Sequence, residues 1–194
     1  MDLPVRCECG GVKGSYRRAA KRYSNRVICY CDDCQAFAQW LGRSECLDAH
    51  GGTDILQIPP AALTIDERST IGGVCGPHSR TQRWYCTQCG SPVANTVRGL
   101  PFIGLFRIAI HANDHELDDA VGRPVASIFG EFATGSAALP RGIPLGLRLR
   151  SAGKLIGWFF RGWAAPNPFI DADGGRYPLS RCNWTSSGQG RQKA

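Results

Sequence analysis

Seven of the ten cysteines stand in three short clusters, which read CECG, CYCDDC and WYCTQCG in chain order. Thiols spaced this closely in a reducing compartment are more often metal ligands or catalytic groups than disulfides. CxC pairs would also close a strained disulfide ring. The clusters therefore predict metal sites, and zinc is the metal that suits cysteine-only ligand sets.

The first and third clusters each supply one pair of ligands. In the knuckle that ends at Gly90, the glycine permits a tight turn whose backbone N–H groups point at the sulfurs. Tetrahedral zinc takes four ligands, so two distant pairs tend to close one site. We predict a structural zinc that clamps both ends of a β-rich region, with the ligands Cys7, Cys9, Cys86 and Cys89.

The middle cluster has three cysteines, Cys29, Cys31 and Cys34, and no obvious fourth ligand. Three protein ligands and one open position are typical of catalytic zinc. Cys34 falls in the first turn of a predicted helix, where the helix dipole favours thiolate. We predict a second, labile and reactive zinc here. The alternative is a redox pair of Cys31 and Cys34, although the extra cysteine, the acidic spacers and the lack of a βαβ pattern oppose it.

Other candidates have less support. His50, in DAHGG, could approach the open zinc as a fourth ligand or as an acid or base, but a loop histidine is usually just solvated. The remaining histidines have less in their favour still: His78, His111 and His115. Three isolated cysteines are expected to be ordinary thiols: Cys46, Cys75 and Cys182.

The elements that must position these residues are short. PVRCECGGVKGSYR predicts a hairpin that turns at Gly10 and Gly11, with Cys7 and Cys9 on one strand. NRVICYC predicts a strand, and DDCQAFAQWLG a short helix capped by Gly42. Further strands are predicted from DILQI, ALTI, QRWYC, PVANTV, FIGLFRIAI and VASIFGEFAT. The fold class is mainly β.

The sequence changes character after residue 140. A helix is predicted within 145–163, with an apolar stripe formed by Leu145, Leu149, Ala152, Ile156, Phe159 and Trp163. Arg150, Lys154 and Arg161 fall roughly opposite. We expect the apolar side to pack on its own domain, with a membrane surface or a protein partner as the alternative. The predicted units are a domain over 1–140, an extension over 141–182 and a disordered tail over 183–194, and DADGG in the extension is predicted to be a turn.

Composition limits the function classes. Apolar residues make up 43% and charged residues 20% of the 194 positions, as in ordinary globular proteins. We find no secretory signal and no membrane-spanning run, so we expect a cytoplasmic protein. Seven thiolates and two Zn²⁺ would reduce the formal charge from +7 to +4, so we expect no nucleic-acid partner.

The order CxCG, CxCxxC and [WF]xCxxCG, over roughly residues 3–132, resembles the glutathione-dependent formaldehyde-activating enzyme family, which includes centromere protein V-like proteins. CYCDDCQAF and WYCTQCGSPVANT are most similar to an uncharacterised branch of it, a domain of unknown function. Members often have histidine where this chain has Tyr30, and the segment after residue 140 has no counterpart.

The resemblance implies the Mss4-like fold, a set of coiled β-sheets stapled by zinc. It implies the same division of the seven cysteines into a structural and a reactive zinc site. It also implies carbon–sulfur lyase chemistry, in which a small thiol such as glutathione adds to formaldehyde or a similar carbonyl. The alternative is a zinc-stapled binding module, or a thiol or aldehyde carrier, without turnover.

Overall fold

The computed structural model describes residues 1–66, 68–76, 80–135, 138–170 and 177–181. Within these residues the protein is mainly β, with two sheets and three α-helices. The smaller sheet is antiparallel, in the order β1 (Leu3–Arg6), β2 (Lys13–Tyr16), β5 (Leu63–Ile65). The mainly β fold class is thus confirmed.

The larger sheet has eight strands in the order β10-β3-β4-β9-β8-β7-β6-β11. Neighbours in it are antiparallel, except that β10 pairs with β3 and β11 with β6 in parallel. The strands are β3 (Asn25–Cys29), β4 (Thr53–Ile58), β6 (Ile71–Cys75), β7 (Thr81–Cys86), β8 (Pro92–Val97), β9 (Ile103–Phe106), β10 (Ala126–Ile128) and β11 (Leu179–Arg181).

Two groups of buried side chains form the core. The larger group lies between the three-stranded and the eight-stranded sheet. It contains Trp84, whose indole stacks on the Phe169 ring with 5.2 Å between the ring centroids. The smaller one centres on the fully buried Phe37 of α1 (Asp32–Trp40), which packs on β3, β4 and β9. The helix after the central cysteines is where the sequence predicted it, and it is anchored by this phenylalanine.

The first hairpin is confirmed, but Cys7 and Cys9 lie in its connection and not on a strand. The chain leaves the ladder at Cys7, which accepts a backbone hydrogen bond from Gly10 at 3.2 Å and donates one to Val12 at 3.2 Å. Gly10 has φ +75°, a value that suits glycine. This tight turn brings the Cys7 and Cys9 sulfurs to 3.5 Å from each other. On a regular strand the two side chains would share a face but stand about 6.6 Å apart along it.

FIGLFRIAI was predicted as one continuous strand, and that prediction is wrong. β9 ends at Phe106 and a 3-10 turn, Arg107–Ala109, follows. The Arg107 guanidinium donates to the carbonyls of Ile110 and Ala112 at 2.9 and 2.8 Å, which curls the chain around it. VASIFGEFAT likewise keeps only the short β10, because Phe129 takes a left-handed conformation, φ 57°.

Besides the three-residue edge strand β11, one strand and one α-helix were not anticipated individually. One is β6, whose sequence IGGVC carries two glycines and a weak strand signal. The other is α2 (Asp114–Val121), which begins with a capping box: Asn113 Oδ1 accepts from the Glu116 N–H and Glu116 Oε2 from the Asn113 N–H, both at 2.9 Å.

The C-terminal helix is present as α3 (Leu145–Phe160), but it is rotated relative to the prediction. Leu145, Leu149, Ile156 and Phe159, all in the predicted apolar stripe, are 58–70% exposed. The domain side of the helix instead carries Arg150, Ser151 and Lys154 and their hydrogen bonds. The cause is the surface beneath, which offers polar side chains and backbone carbonyls to these three residues, beside the buried Leu147 and Trp158.

Several predictions fall outside the described residues: His78, Cys182, the DADGG turn and the tail 183–194. Among the residues that the structure does describe, no helix is both long enough and apolar enough to cross a membrane.

Candidate metal centres

The first and third cysteine clusters meet at one end of the molecule. The Sγ atoms of their four members all lie within 4.8 Å of one another: Cys7, Cys9, Cys86 and Cys89. Cys7 follows β1 and Cys86 ends β7, so strands from the two sheets deliver the two pairs. Cysteine spacing alone predicted that these two pairs, nearly 80 positions apart in the sequence, lie together, and the structure places them so.

Backbone amides surround this four-cysteine cluster as the knuckle predicted. The Val12 N–H donates to Cys7 Sγ at 3.1 Å and the Gly11 N–H to Cys9 Sγ at 3.4 Å. Gly90 has φ +70° and closes the second turn by donating to the Cys86 carbonyl at 2.9 Å. The Val12 and Gly11 donors stabilise negative charge on their sulfurs, which is the state a metal binds.

The thiols of this cluster differ in acidity. Burial is the main cause that raises the pKa of Cys7 to about 12. For Cys89, burial is outweighed by hydrogen bonds, including one with Ser91 Oγ at 3.1 Å, and its pKa is lowered to about 6. Metal binding would therefore have to displace the proton of the buried Cys7, whereas the Cys89 thiol would already be ionised.

The three central cysteines form a second cluster, which we call the trio: Cys29, Cys31 and Cys34. Cys29 ends β3, Cys31 is the N-cap of α1 and Cys34 lies in its first turn. The Cys34 and Gln35 N–H groups both donate to the Cys31 carbonyl, at 3.0 and 3.3 Å. A strand end followed at once by a helix start is what gathers the three sulfurs.

The sulfur separations suit a shared ion. Sγ–Sγ distances are 3.5 and 3.7 Å in the four-cysteine cluster and 3.4 and 3.8 Å in the trio. Tetrahedral zinc with Zn–S bonds of about 2.3 Å would separate its sulfurs by about 3.8 Å, whereas a disulfide brings them to about 2.05 Å. The described cysteines are all free. Both clusters can therefore hold a metal ion.

A buried arginine stands beside the trio. The side chain of Arg83, on β7, is 3% exposed, and its guanidinium donates to Cys34 Sγ at 3.5 Å and to Asn95 Oδ1 at 3.3 Å. It also lies 3.6 Å from an Asp33 carboxylate oxygen and 5.5 Å above the Phe37 ring. Arg83 is thus a fixed positive charge in contact with the sulfurs.

The electrostatics of the trio concentrate negative charge on one sulfur. Hydrogen bonding with Cys29 and Cys31, followed by the charge of Arg83, lowers the pKa of Cys34 well below its usual value, despite burial. The pKa of Cys29 is raised, first by its hydrogen bonds with the other two cysteines and then by burial. Cys34 is therefore the most acidic thiol of the trio, and Arg83 stabilises its thiolate form.

The other candidates do not join either cluster. Of the described residues, no histidine, aspartate or glutamate comes within 4.8 Å of all the sulfurs of a cluster. The exposed His50 places Nδ1 3.1 Å from the Thr134 carbonyl oxygen instead. Cys46 and Cys75, both half-buried, lie outside the clusters, as do His111 and His115.

Arg83 is the site residue that sequence reasoning missed. Its signal was a charged residue next to Trp84 in the predicted strand QRWYC, three positions before a predicted ligand. A charge at a buried strand position must be paired. Only the structure shows that the partner is a cysteine 49 positions away.

The comparisons with known proteins identify a family but no activity. A family described as "Family of unknown function (DUF6151)" matches residues 1–147, which include all seven clustered cysteines and Arg83. The chain belongs to this family. No curated protein matches the sequence.

Proposed function

We propose that this DUF6151 member is a cytoplasmic zinc protein with the Mss4-like arrangement of coiled β-sheets. In it, the four-cysteine cluster holds a structural zinc and the trio a second, labile one. At the trio a small thiol such as glutathione adds to formaldehyde or a similar carbonyl, and the reverse reaction is that of a carbon–sulfur lyase.

The observation that carries this proposal is the incomplete ligand set of the trio. Three sulfurs gather within 4.8 Å, and among the described residues no fourth cysteine, histidine or carboxylate joins them. Cys31 is half-buried, while Cys29 and Cys34 are 5% and 3% exposed. The side of Cys31 is therefore the side from which a small thiol would enter.

Zinc at the trio would supply an open coordination position and lower the pKa of the thiol bound there. Three thiolates make such an ion electron-rich and a weak Lewis acid. The Arg83 N–H that points at Cys34 Sγ offsets this, because a donated hydrogen bond draws electron density from the sulfur. The guanidinium also balances the single negative charge that Zn²⁺ and three thiolates carry together.

The proposed addition needs no oxidant or reductant. The thiol sulfur forms a bond with the carbonyl carbon, the C=O π bond opens, and the proton lost by the thiol ends on the new hydroxyl oxygen. The residues of this chain would hold the thiolate and balance its charge.

The burial of Cys29 and Cys34 also favours a second candidate function. A site that is closed on two of its three ligands resembles a structural centre, so the protein could be a zinc-stapled binding module or a thiol or aldehyde carrier without turnover.

Exchange spectroscopy distinguishes the two functions. Zinc-loaded protein is added to glutathione and formaldehyde, and the exchange rate of S-hydroxymethylglutathione is measured by NMR. We expect a rate increase proportional to protein concentration, lost in Cys31→Ser and kept in Cys75→Ser, a half-buried cysteine outside both clusters. A rate equal to the uncatalysed one, or unchanged in Cys31→Ser, would remove the enzyme proposal and leave the carrier or binding module.

A further inference from the structure

Helix α3 is held to the domain by one polar side. Ser151 Oγ donates to Gln57 Oε1 at 2.9 Å, and Lys154 Nζ donates to the Arg22 carbonyl at 2.7 Å. Leu147 and Trp158, on the same side, are 8% and 2% exposed. With 3.6 residues per turn these four positions share one face, so the orientation of the helix is fixed.

The opposite face of α3 is apolar and exposed. Its large side chains are 58–82% exposed and are Leu145, Leu149, Ile156, Phe159 and Phe160. Gly146 and Gly153 share this face, and a Cβ added at either would meet nothing within 4 Å. Apart from Met1, the most exposed large apolar side chains of the described residues are these five. A cluster of this kind marks an interaction site.

Positive charge borders the apolar face. By helical geometry Arg148 lies at one edge. Arg150 lies at the other edge, next to the domain, where its Nε–H donates to Asn25 Oδ1 at 2.7 Å, and the exposed Arg161 follows the last turn of the helix. No aspartate or glutamate occurs between Glu131 and Asp171. These basic side chains attract a negatively charged partner and repel a cationic one.

A basic groove of about 590 Å³ runs along the second edge of the helix. Its lining includes Arg22, Tyr23, Lys154 and Arg161. The Arg22 guanidinium lies 4.6 Å from the centre of the Tyr23 ring, which holds that charge at the groove. The groove is large enough and basic enough for a phosphate headgroup.

We propose that α3 docks on an anionic lipid surface, lying in the plane of the membrane interface. The five apolar side chains enter the boundary between headgroups and acyl chains, and the arginines contact lipid phosphates. A second copy of the chain fits less well, because apposing two such faces would bring the cationic rims together. The family match ends at residue 147, so this surface lies almost wholly outside it.

The test is co-sedimentation of the zinc-loaded full chain with vesicles. One set is phosphatidylcholine alone and the other contains about one-third phosphatidylserine. We expect binding to the anionic set only, weakened by salt. Replacing Ile156 and Phe160 together by serine should lower partitioning about tenfold or more, since both side chains lose apolar contact. Arg148→Glu should lower it by a factor of about five or more.

Leu100→Ser is the matched control, because Leu100 is 45% exposed in a turn outside α3, and it should bind as the wild type does. Circular dichroism checks that the variants fold, which we expect because the replaced side chains touch solvent. Absence of binding to anionic vesicles at low salt, or binding unchanged in the double variant, would overturn the proposal. A dimer that the double variant dissociates would assign the face to a second copy and overturn it equally.

Discussion

Removing the charge of Arg83 should weaken metal binding at the trio. Its guanidinium donates to Cys34 Sγ at 3.5 Å, inside the protein, and Cys34 has a lowered pKa. Cys34 is therefore the thiol of the trio that loses its proton most readily when Zn²⁺ binds. In Arg83→Met the Cys34 thiolate loses its countercharge, so its proton is harder to remove and one negative charge of the loaded site stays unbalanced and buried.

The usual thiol pKa of 9.0 sets the scale for the cost of removing that proton. At pH 7 deprotonation of such a thiol costs a factor of about 100, or about 2.7 kcal/mol. Hydrogen bonding with Cys29 and Cys31 remains and reduces this cost, whereas burial increases it. We expect a loss of about 10- to 100-fold in zinc affinity, which is the usual effect of losing a residue that supports a ligand.

Competition with a chromophoric chelator measures this affinity, and its pH dependence should be steeper in Arg83→Met than in the wild type. Arg83→Lys keeps the charge and should fall between the two. Arg80→Met is the control, because Arg80 is exposed just before the same strand. A folded Arg83→Met protein whose trio binds zinc with wild-type affinity and pH dependence would refute this reasoning.

Two further predictions concern stability. Asp54→Asn should cost about 2 kcal/mol in urea unfolding, because the buried Arg26 loses its bidentate partner and keeps only Asp118, at 2.7 Å. The exposed Asp119→Asn should cost almost nothing, and equal effects would contradict this. Burial, and then Arg150, lower the pKa of Lys154 to about 8 from 10.5. Between these values the unfolded chain binds more protons, so the wild type should gain stability relative to Lys154→Met as pH rises from 8 to 10.5. A constant difference in unfolding midpoints would count against it.

Local patterns were enough to predict much of the fold. The hairpin turn, the helix after Asp32 and most of the strands came from turn residues, alternation and cap signals. The failures have a common cause, which is tertiary contact. The FIGLFRIAI pattern predicts one strand, but the chain turns where the Arg107 guanidinium donates to two backbone carbonyls. Strand β11 is defined only by its pairing with β6, which no local pattern indicates.

The candidate site divides in the same way. Cysteine spacing was enough to predict which sulfurs meet, because metal ligands come in short fixed patterns. Arg83 carries no such pattern, and its partner Cys34 comes from a distant part of the chain. The predicted orientation of α3 was wrong because sequence periodicity locates the apolar face of a helix but does not show which part of the domain the helix packs against. Here Asn25 and Gln57 hold the polar side through Ser151.

The central claim is that the protein has two metal centres, one with a complete set of four cysteine ligands and one with three cysteines and an open coordination position. Its most direct test is the zinc content of the purified protein, measured before and after a mild chelator and repeated with the trio changed to serine: Cys29→Ser, Cys31→Ser and Cys34→Ser. We predict two zinc ions, of which the chelator removes one, and one tightly held ion in the folded triple variant. One tightly held ion in both proteins would contradict the account and leave the trio as free thiols, with a redox pair of Cys31 and Cys34 as the better interpretation.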